Sequence, residues 1–296
     1  MNEYSFYGAV IGDIAGSYKE TVEYKAHIHG AKVSKEERIK ILDTSTSLFS
    51  SKDSITDDSV LTLALAHALL TDLDYEKSLR NFGNFEIKNG SDKYGRNRFG
   101  NGFVSWLKNE KIGDSFGNGC AMRISPIGYA FETLEQTLKE AELATIPSHN
   151  HPHSVKCAKA TAGAIYLARN GNSKEKIKDF IEKTLDQKLD FDLAKLQEEN
   201  EFDATALGSV PNALFCFFES NDFEDAIRKA LSIGGDTDTI ACITGSVAGA
   251  YYGVPENLVM LTQKYISDFY LDIINNFTDQ FIINQERYNF NKEDKN

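Results

Sequence analysis

Two short acidic clusters, far apart in the chain, each stand directly before an apolar stretch with helical periodicity. The first cluster, TDDS at residues 56–59, precedes VLTLALAHALL, and the second, DTDT at residues 236–239, precedes IACITGSVAGAYYG. Carboxylates at the start of buried helices are costly unless they are paired or bound to a cation. If the fold brings the two clusters together, the sequence predicts a site for a hard divalent cation such as Mg²⁺, Mn²⁺ or Ca²⁺.

Helix capping explains either cluster on its own. Thr, Asp and Ser are common N-cap residues, and acids in a first turn complement the helix dipole. Both clusters nevertheless contain more acids than a cap requires. Four carboxylates about 4 Å apart would repel one another by several kcal/mol at an effective dielectric of about 20. Spacing in the sequence leaves capping and cation binding as alternatives.

The periodicity of the whole chain predicts an all-α fold. Alternating strand patterns are scarce, and small residues in two of the apolar segments favour close packing of helices in a compact multi-helix domain. We expect one domain over residues 1–285 and a polar C-terminal tail over 286–296. The predicted helical segments are 59–70, 134–145, 155–169, 211–219, 223–233 and 239–252.

Glycine and proline predict several boundaries between these segments. The Gly234-Gly235 pair should end the helix that precedes it, and Pro211 should occupy the first turn of a helix. The segment 90–119 is rich in Gly, Asn and Asp, and predicts a loop. The polar segments 22–54 and 171–205 are expected to be surface excursions from the domain.

Charge and cysteine content restrict the possible partners and location. The formal net charge of −12 argues against a broad contact with a nucleic-acid backbone. No segment has the length and hydrophobicity of a transmembrane helix, and the N-terminus does not resemble a signal peptide. The four scattered cysteines predict buried thiols. We therefore expect a cytoplasmic protein, with a monomer as the default.

Three further segments carry residues suited to chemistry. Gly8, Gly12 and Gly16 would leave one helix face without side chains, which is typical of a close helix contact, and Asp13 on that helix suits a structural role as well as a functional one. The Gly-Asn-Gly turn at 117–119 could expose backbone amides to an anion or ribose, or be a plain turn. Three histidines at 149–153 have no ligand partner at zinc spacing, so a polar loop that caps the next helix is favoured.

Taken together, these segments resemble the ADP-ribosylglycohydrolase family. The matching segments occur in the order of the family and extend from residue 8 to about residue 253. They are GAVIGDIAGSYKE, ITDDSVLTLALA, RFGNGFVSW, SFGNGCAMRISPIG, SHNHPHSVKCAKATAGAIYLA, GSVPNALFCF and LSIGGDTDTIACITGSVAGAYYG. The resemblance implies an all-α fold with two Mg²⁺ (or Mn²⁺) ions in a central cleft.

The resemblance also assigns roles to individual residues. The implied metal ligands are Thr56, Asp57, Asp58, Asp236, Asp238 and Thr239. The implied substrate contacts are Phe99, Gly100, Ser115, Phe116, Gly117, Asn118, Gly119 and His149. Glu20 falls on a glutamate near the metals and the scissile bond, and Asp58 is the first choice for a general base. Phe99 replaces the usual tyrosine, and Ser148 stands where threonine is commoner.

The implied reaction is hydrolysis at C1″ of the distal ribose of ADP-ribose, on a modified protein or small conjugate, through an oxocarbenium-like transition state. The acceptor group, whether arginine, serine, an acetyl ester or a nucleobase, is left open. A non-catalytic ADP-ribose-binding module and a purely structural helical protein are the alternatives to an enzyme.

Overall fold

The computed structural model describes residues 2–89, 98–109 and 113–284, and these residues form an all-α structure. The described residues contain no β-strand, although isolated β-bridges join Asp114 to His149 and Gly117 to Thr205. The α-helices are α1 (Tyr7–Ile28), α2 (Lys35–Ile39), α3 (Asp57–Leu70), α4 (Tyr75–Asn89), α5 (Asn101–Leu107), α6 (Gly119–Met122), α7 (Ser125–Ala130), α8 (Leu134–Thr145), α9 (Pro152–Arg169), α10 (Lys174–Leu185), α11 (Leu193–Glu199), α12 (Ala206–Phe218), α13 (Phe223–Ser232), α14 (Thr237–Tyr252), α15 (Glu256–Thr262) and α16 (Asp268–Thr278). Short 3₁₀ turns cover Lys40–Leu42 and Gln263–Tyr265, and a π-helical turn covers Asp279–Ile283.

The predicted helices all form, with corrections at two places. Pro211 lies inside α12 and not in its first turn, because α12 begins earlier, at Ala206, where Thr205 caps it. The segment 90–119 is not a continuous loop, because α5 occupies Asn101–Leu107 and buries Trp106 and Leu107. Short helices of this kind lack the length that makes helical periodicity visible in a sequence. Residues 90–97 and 110–112, and the predicted tail at 286–296, lie outside the described residues.

The polar segment 171–205 contributes to the core as well as to the surface. Helix α10 is amphipathic and buries Ile177, Ile181 and Leu185. A β-carbon on Gly163 of α9 would lie 2.3 Å from the ring of Phe180, so α9 and α10 pack closely at this point. The mixed composition of the segment conceals this one apolar face.

Helices α1 and α14 pack at the centre of the molecule because glycines remove the side chains between them. A β-carbon added to Gly8 would lie 2.2 Å from the carbonyl oxygen of Gly245, and one on Gly12 would lie 2.1 Å from that of Ala241. One on Gly16 would lie 2.4 Å from the Cα of Asp238. The glycine face predicted from the sequence therefore lies directly against the helix that carries the second acidic cluster.

The remaining sequence expectations concern thiols and membranes. All four cysteines are free and buried, as predicted. Within residues 2–89, 98–109 and 113–284, no helix combines the length and the apolar character needed to span a bilayer.

Candidate active site

Three helices bring buried aspartates to one point in the molecule. Asp13 comes from the middle of α1, Asp58 from the first turn of α3 and Asp238 from the first turn of α14. One carboxylate oxygen of each lies within 4.8 Å of those of the others. The two acidic clusters of the sequence therefore meet in the fold, and α1 adds a third acid to them.

Asp13 holds the start of α3 in position. Its Oδ2 accepts hydrogen bonds from the backbone amides of Thr56 and Ser59, each at 3.0 Å, and from the Ser59 hydroxyl. Its Oδ1 accepts a 2.7 Å bond from the Thr56 hydroxyl. An acid on α1 thus supplies the first turn of α3 with the acceptors that a helix N-terminus needs.

A tight turn positions the second acidic cluster. Gly234 and Gly235 have positive φ angles of 70° and 83° and connect α13 to α14, as the sequence predicted. Asp236 follows this turn, and its Oδ2 accepts a 2.6 Å hydrogen bond from the Asn118 side chain. The Thr237 hydroxyl donates a 3.0 Å bond to the carbonyl oxygen of Gly16, which fixes α14 against α1.

Capping accounts for only part of these clusters. The Thr56 hydroxyl accepts a 3.3 Å bond from the Asp58 amide, so the first cluster does contain an N-cap. Asp236 stands at the N-cap position of α14 but makes no side-chain capping bond there. Helix capping therefore does not explain the acids of the second cluster.

Burial and mutual repulsion disfavour the charged forms of these acids. Burial raises the pKa of Asp58 and of Asp238 well above the ordinary value, and the neighbouring carboxylates raise it further. The pKa of Asp57 rises to about 8 for the same reasons, with Asp13, Asp236 and Glu20 among the repelling charges. Burial also raises the pKa of Asp13 and of Asp236.

The donor set fits a hard divalent cation. Every candidate ligand is a carboxylate or hydroxyl oxygen, which suits Mg²⁺ or Mn²⁺ better than zinc. Asp58 Oδ1 is buried without a hydrogen-bond partner among the described residues. An ionised carboxylate oxygen in that position requires a positive partner, and a bound cation would supply one.

The acids line one wall of a cleft with a volume of about 720 Å³. Most of the residues predicted from the sequence border it. They are Glu20, Thr56, Asp57, Asp58, Phe99, Gly100, Ser115, Gly117, Asn118, Gly119, His149, Asp236, Asp238 and Thr239. Phe116 does not border the cleft: its exposed ring lies edge-on to His151, 5.9 Å away.

The lining of the cleft also includes a buried cation. Arg123 follows α6, is completely buried and also borders the cleft. Its Nη2 donates a 2.7 Å hydrogen bond to Ser148 Oγ, which lies 2.8 Å from His149 Nδ1. Burial lowers the pKa of Arg123 to about 10. Burial and the charge of Arg123 together hold the pKa of His149 well below its ordinary value.

Sequence reasoning did not select Asp13 or Arg123 as site residues. Asp13 lies between Gly12 and Gly16 on the stripped face of α1, and that position is the clue that the sequence offered. Arg123 lies in an otherwise apolar run, CAMRISPIG, where a charged residue indicates a buried and partnered cation.

Fold and site together define a class: helical proteins in which converging helices enclose a carboxylate cluster beside a cleft. The sequence profile of the ADP-ribosylglycohydrolase family matches residues 4–286, so the chain belongs to that family.

Individual relatives agree with this assignment. The chain is 27% identical to the ADP-ribosylhydrolase ARH3 of Mus musculus, with 84% of each chain covered, and 26% identical to ARH3 of Homo sapiens, with 87% of this chain and 88% of that one covered. It is 27% identical to the ADP-ribosylarginine hydrolase Tri1 of Pseudomonas putida (strain GB-1), over 52% of this chain and 45% of that one. A solved structure, an ADP-ribosylglycohydrolase-related protein complex, has the same fold: the TM-score is 0.65 at 20% identity, with 95% of this chain and 97% of that one covered.

Proposed function

We propose that this protein is a metal-dependent hydrolase that cleaves the glycosidic bond at C1″ of ADP-ribose in a modified acceptor. The observation that carries the proposal is the convergence of Asp13, Asp58 and Asp238 within 4.8 Å at the wall of a cleft. Membership of the ADP-ribosylglycohydrolase family supports ADP-ribose as the part of the substrate that the cleft binds.

Six residues would hold a pair of Mg²⁺ or Mn²⁺ ions. They are Thr56, Asp57, Asp58, Asp236, Asp238 and Thr239. The Thr239 amide donates a 2.8 Å bond to Asp238 Oδ1, and carboxylate oxygens of Asp238 and Asp58 lie within 4.8 Å of each other, so the two clusters are already adjacent. When bound, the ions supply positive charge that orients the ribose hydroxyls and increases the acidity of water.

The residues of the chain provide the rest of the chemistry. An oxocarbenium-like transition state carries positive charge, which the surrounding carboxylates stabilise. Glu20 borders the cleft and lies close enough to Asp57 and Asp238 to raise the pKa of each. We assign Glu20 to the positioning of water or the leaving group, and Asp58 to proton abstraction from the attacking water.

The loop at residues 115–119 and its neighbours would bind the diphosphate and adjoining ribose. This loop borders the cleft except at Phe116, and the Asn118 side chain donates a hydrogen bond to Asp236. Gly117 and Gly119 leave this loop without β-carbons beside His149. Phe99, buried against Phe103 at 5.0 Å, and the exposed Gly100 border the same cleft from the start of α5.

A substrate panel tests this proposal directly. The panel contains ADP-ribosylated arginine, ADP-ribosylated serine, O-acetyl-ADP-ribose and an ADP-ribosylated nucleobase, each with Mg²⁺ and with EDTA. Release of ADP-ribose from at least one compound, abolished by EDTA, supports the proposal. No release from any compound, with ADP-ribose still bound in calorimetry, identifies the protein as a non-catalytic binding module.

The role of Glu20 has its own test. A Glu20→Gln variant keeps the size of the side chain and removes its charge, so kcat should fall while Mg²⁺ affinity changes little. A normal kcat in this variant would show that Glu20 has no role in the reaction.

A further inference from the structure

Arg123 is a buried cation without an acidic partner among the described residues. Its side chain is completely inaccessible, and none of the ion pairs in the described structure includes it. Nη2 bonds Ser148 Oγ at 2.7 Å and makes a long 3.5 Å contact with the Ala144 carbonyl oxygen. Nε and Nη1 have no hydrogen-bond partner among the described residues. Burying a cation without a paired acid costs free energy, so a functional role is the natural explanation for its retention.

The bond from Arg123 fixes the direction of the next hydrogen bond. A guanidinium only donates, so Ser148 Oγ must accept from it. The Ser148 hydroxyl then has one hydrogen to donate, and His149 Nδ1, 2.8 Å away, is the acceptor within reach. If Nδ1 carried the proton instead, the buried Ser148 hydroxyl would accept two bonds and donate none, which leaves its hydrogen unsatisfied. The chain of bonds therefore puts the ring proton of neutral His149 on Nε2.

The other ring nitrogen lies against the glycine loop of the cleft. A β-carbon on Gly119 would lie 3.0 Å from His149 Nε2, and one on Gly117 would lie 3.8 Å from it. His149 itself borders the cleft. The Nε2 hydrogen therefore lies beside the glycine loop that borders the cleft.

We propose that Arg123 and Ser148 are positioning residues that lock His149 as a neutral imidazole whose Nε2 hydrogen is donated to an oxygen of the bound ligand. A ligand oxygen bearing negative charge, such as a diphosphate oxygen of ADP-ribose, is the acceptor that fits this donor and the nearby buried cation. The identity of the ligand rests on the proposed function, whereas the locked tautomer does not. His149 in this arrangement binds and does not transfer protons.

The tautomer is measured without any ligand. Long-range ¹H–¹⁵N spectra distinguish protonated from unprotonated imidazole nitrogens, and a His149→Gln variant identifies the His149 signals among the six histidines of the chain. We expect protonated Nε2 and unprotonated Nδ1 at pH 7, with no titration down to pH 5.5. A protonated Nδ1, or a doubly protonated ring at pH 6, would overturn the inference.

A matched pair of variants tests the role of Ser148. Ser148→Ala removes the hydrogen-bond relay from Arg123 through Ser148 to His149, so His149 should populate both tautomers. The affinity for ADP-ribose should then fall about fivefold to tenfold, because the ring offers its Nε2 hydrogen to the ligand only part of the time. Ser148→Thr keeps the hydroxyl and should restore the wild-type spectrum and most of the affinity. Equal losses in both variants, with a wild-type spectrum in each, would show a packing role and contradict the relay.

Failure of the proposed function can be distinguished from failure of the hydrogen-bond relay. If wild-type protein binds no ADP-ribose in calorimetry but shows the Nε2 tautomer and its loss in Ser148→Ala, the relay stands and the ligand assignment falls. If Ser148→Ala does not fold, the wild-type spectrum by itself still decides the tautomer.

Discussion

Two buried regions with charges of opposite sign border the cleft, and each contains polar atoms without a partner among the described residues. In the acidic region, Asp58 Oδ1 has no hydrogen-bond partner among the described residues, and burial raises the pKa of Asp58. Beside His149, Nε and Nη1 of Arg123 have no partner among the described residues, and burial lowers the pKa of Arg123 to about 10. No ion pair of the described residues joins Arg123 to an acid, although such a pair would relieve both charges. A cleft bordered in this way suits a bound assembly that carries both positive and negative charge.

The largest effect should come from the acid wall. In Asp58→Asn and Asp238→Asn, hydrolysis should fall by about 10³-fold or more, because electrostatic stabilisation of the transition state is lost along with the metal. The same variants should be at least as stable as wild type in EDTA, since an amide removes repulsion. Activity assays with parallel thermal unfolding measure both, and Asp272→Asn, on the exposed surface of α16, is the control. Wild-type turnover in either site variant would remove that residue from the metal site.

A second prediction concerns the packing that builds the acid wall. Gly12→Ala places a β-carbon 2.1 Å from the Ala241 carbonyl oxygen, so α1 and α14 must separate. Overpacking of this kind costs about 1–3 kcal/mol of unfolding free energy, more than the helix propensity that alanine gains. Urea unfolding measures this loss of unfolding free energy. Gly102→Ala, which has open space around it, is the control and should be neutral or stabilising. A stabilised Gly12→Ala protein would show that the glycine face is not in contact.

The third prediction tests the connection between the glycine loop and the acids. Asn118 donates 2.6 Å and 2.9 Å bonds to Asp236 and to Ser209, so the loop orients an acid of the second cluster. Asn118→Ala should weaken Mg²⁺ binding about 10-fold to 100-fold, as for other residues that orient metal ligands. Calorimetric titration with Mg²⁺ checks this, with Asn212→Ala, outside the cleft lining, as the control. Unchanged affinity would mean that Asp236 needs no such support.

The last prediction is a pH dependence of stability without metal. The folded pKa values of Asp57, Asp58 and Asp238 lie above their unfolded values, so the folded state binds more protons. Stability in EDTA should therefore decrease as pH rises from about 4 to 8, by at most about 1.4 kcal/mol per pH unit and per proton. Mg²⁺ should flatten or reverse this slope. Urea unfolding at a series of pH values decides it, and an increase in stability with pH in EDTA would contradict the repulsion.

Long periodic segments were predictable from the sequence, and short or composite ones were not. The patterns at 134–145 and 223–233 match α8 and α13 because each helix has one apolar face, which repeats every 3.6 residues. Helix α5 escaped prediction because its seven residues follow a glycine-rich segment. The predicted position of Pro211 was wrong because α12 accommodates this proline in its second turn. There the surrounding packing outweighs the preference of proline for the first turn of a helix.

By itself, the sequence determined the helical class, the family resemblance and the oxygen atoms that the two acidic clusters can offer, because these depend on residue identity and local spacing. The tertiary structure decided which acids meet. Asp13 joins Asp58 and Asp238 because glycines let α1 pack against α14, and Arg123 borders the same cleft while it is buried beside Ser148. Such contacts join residues far apart in the chain, and local pattern carries no information about distances of that kind.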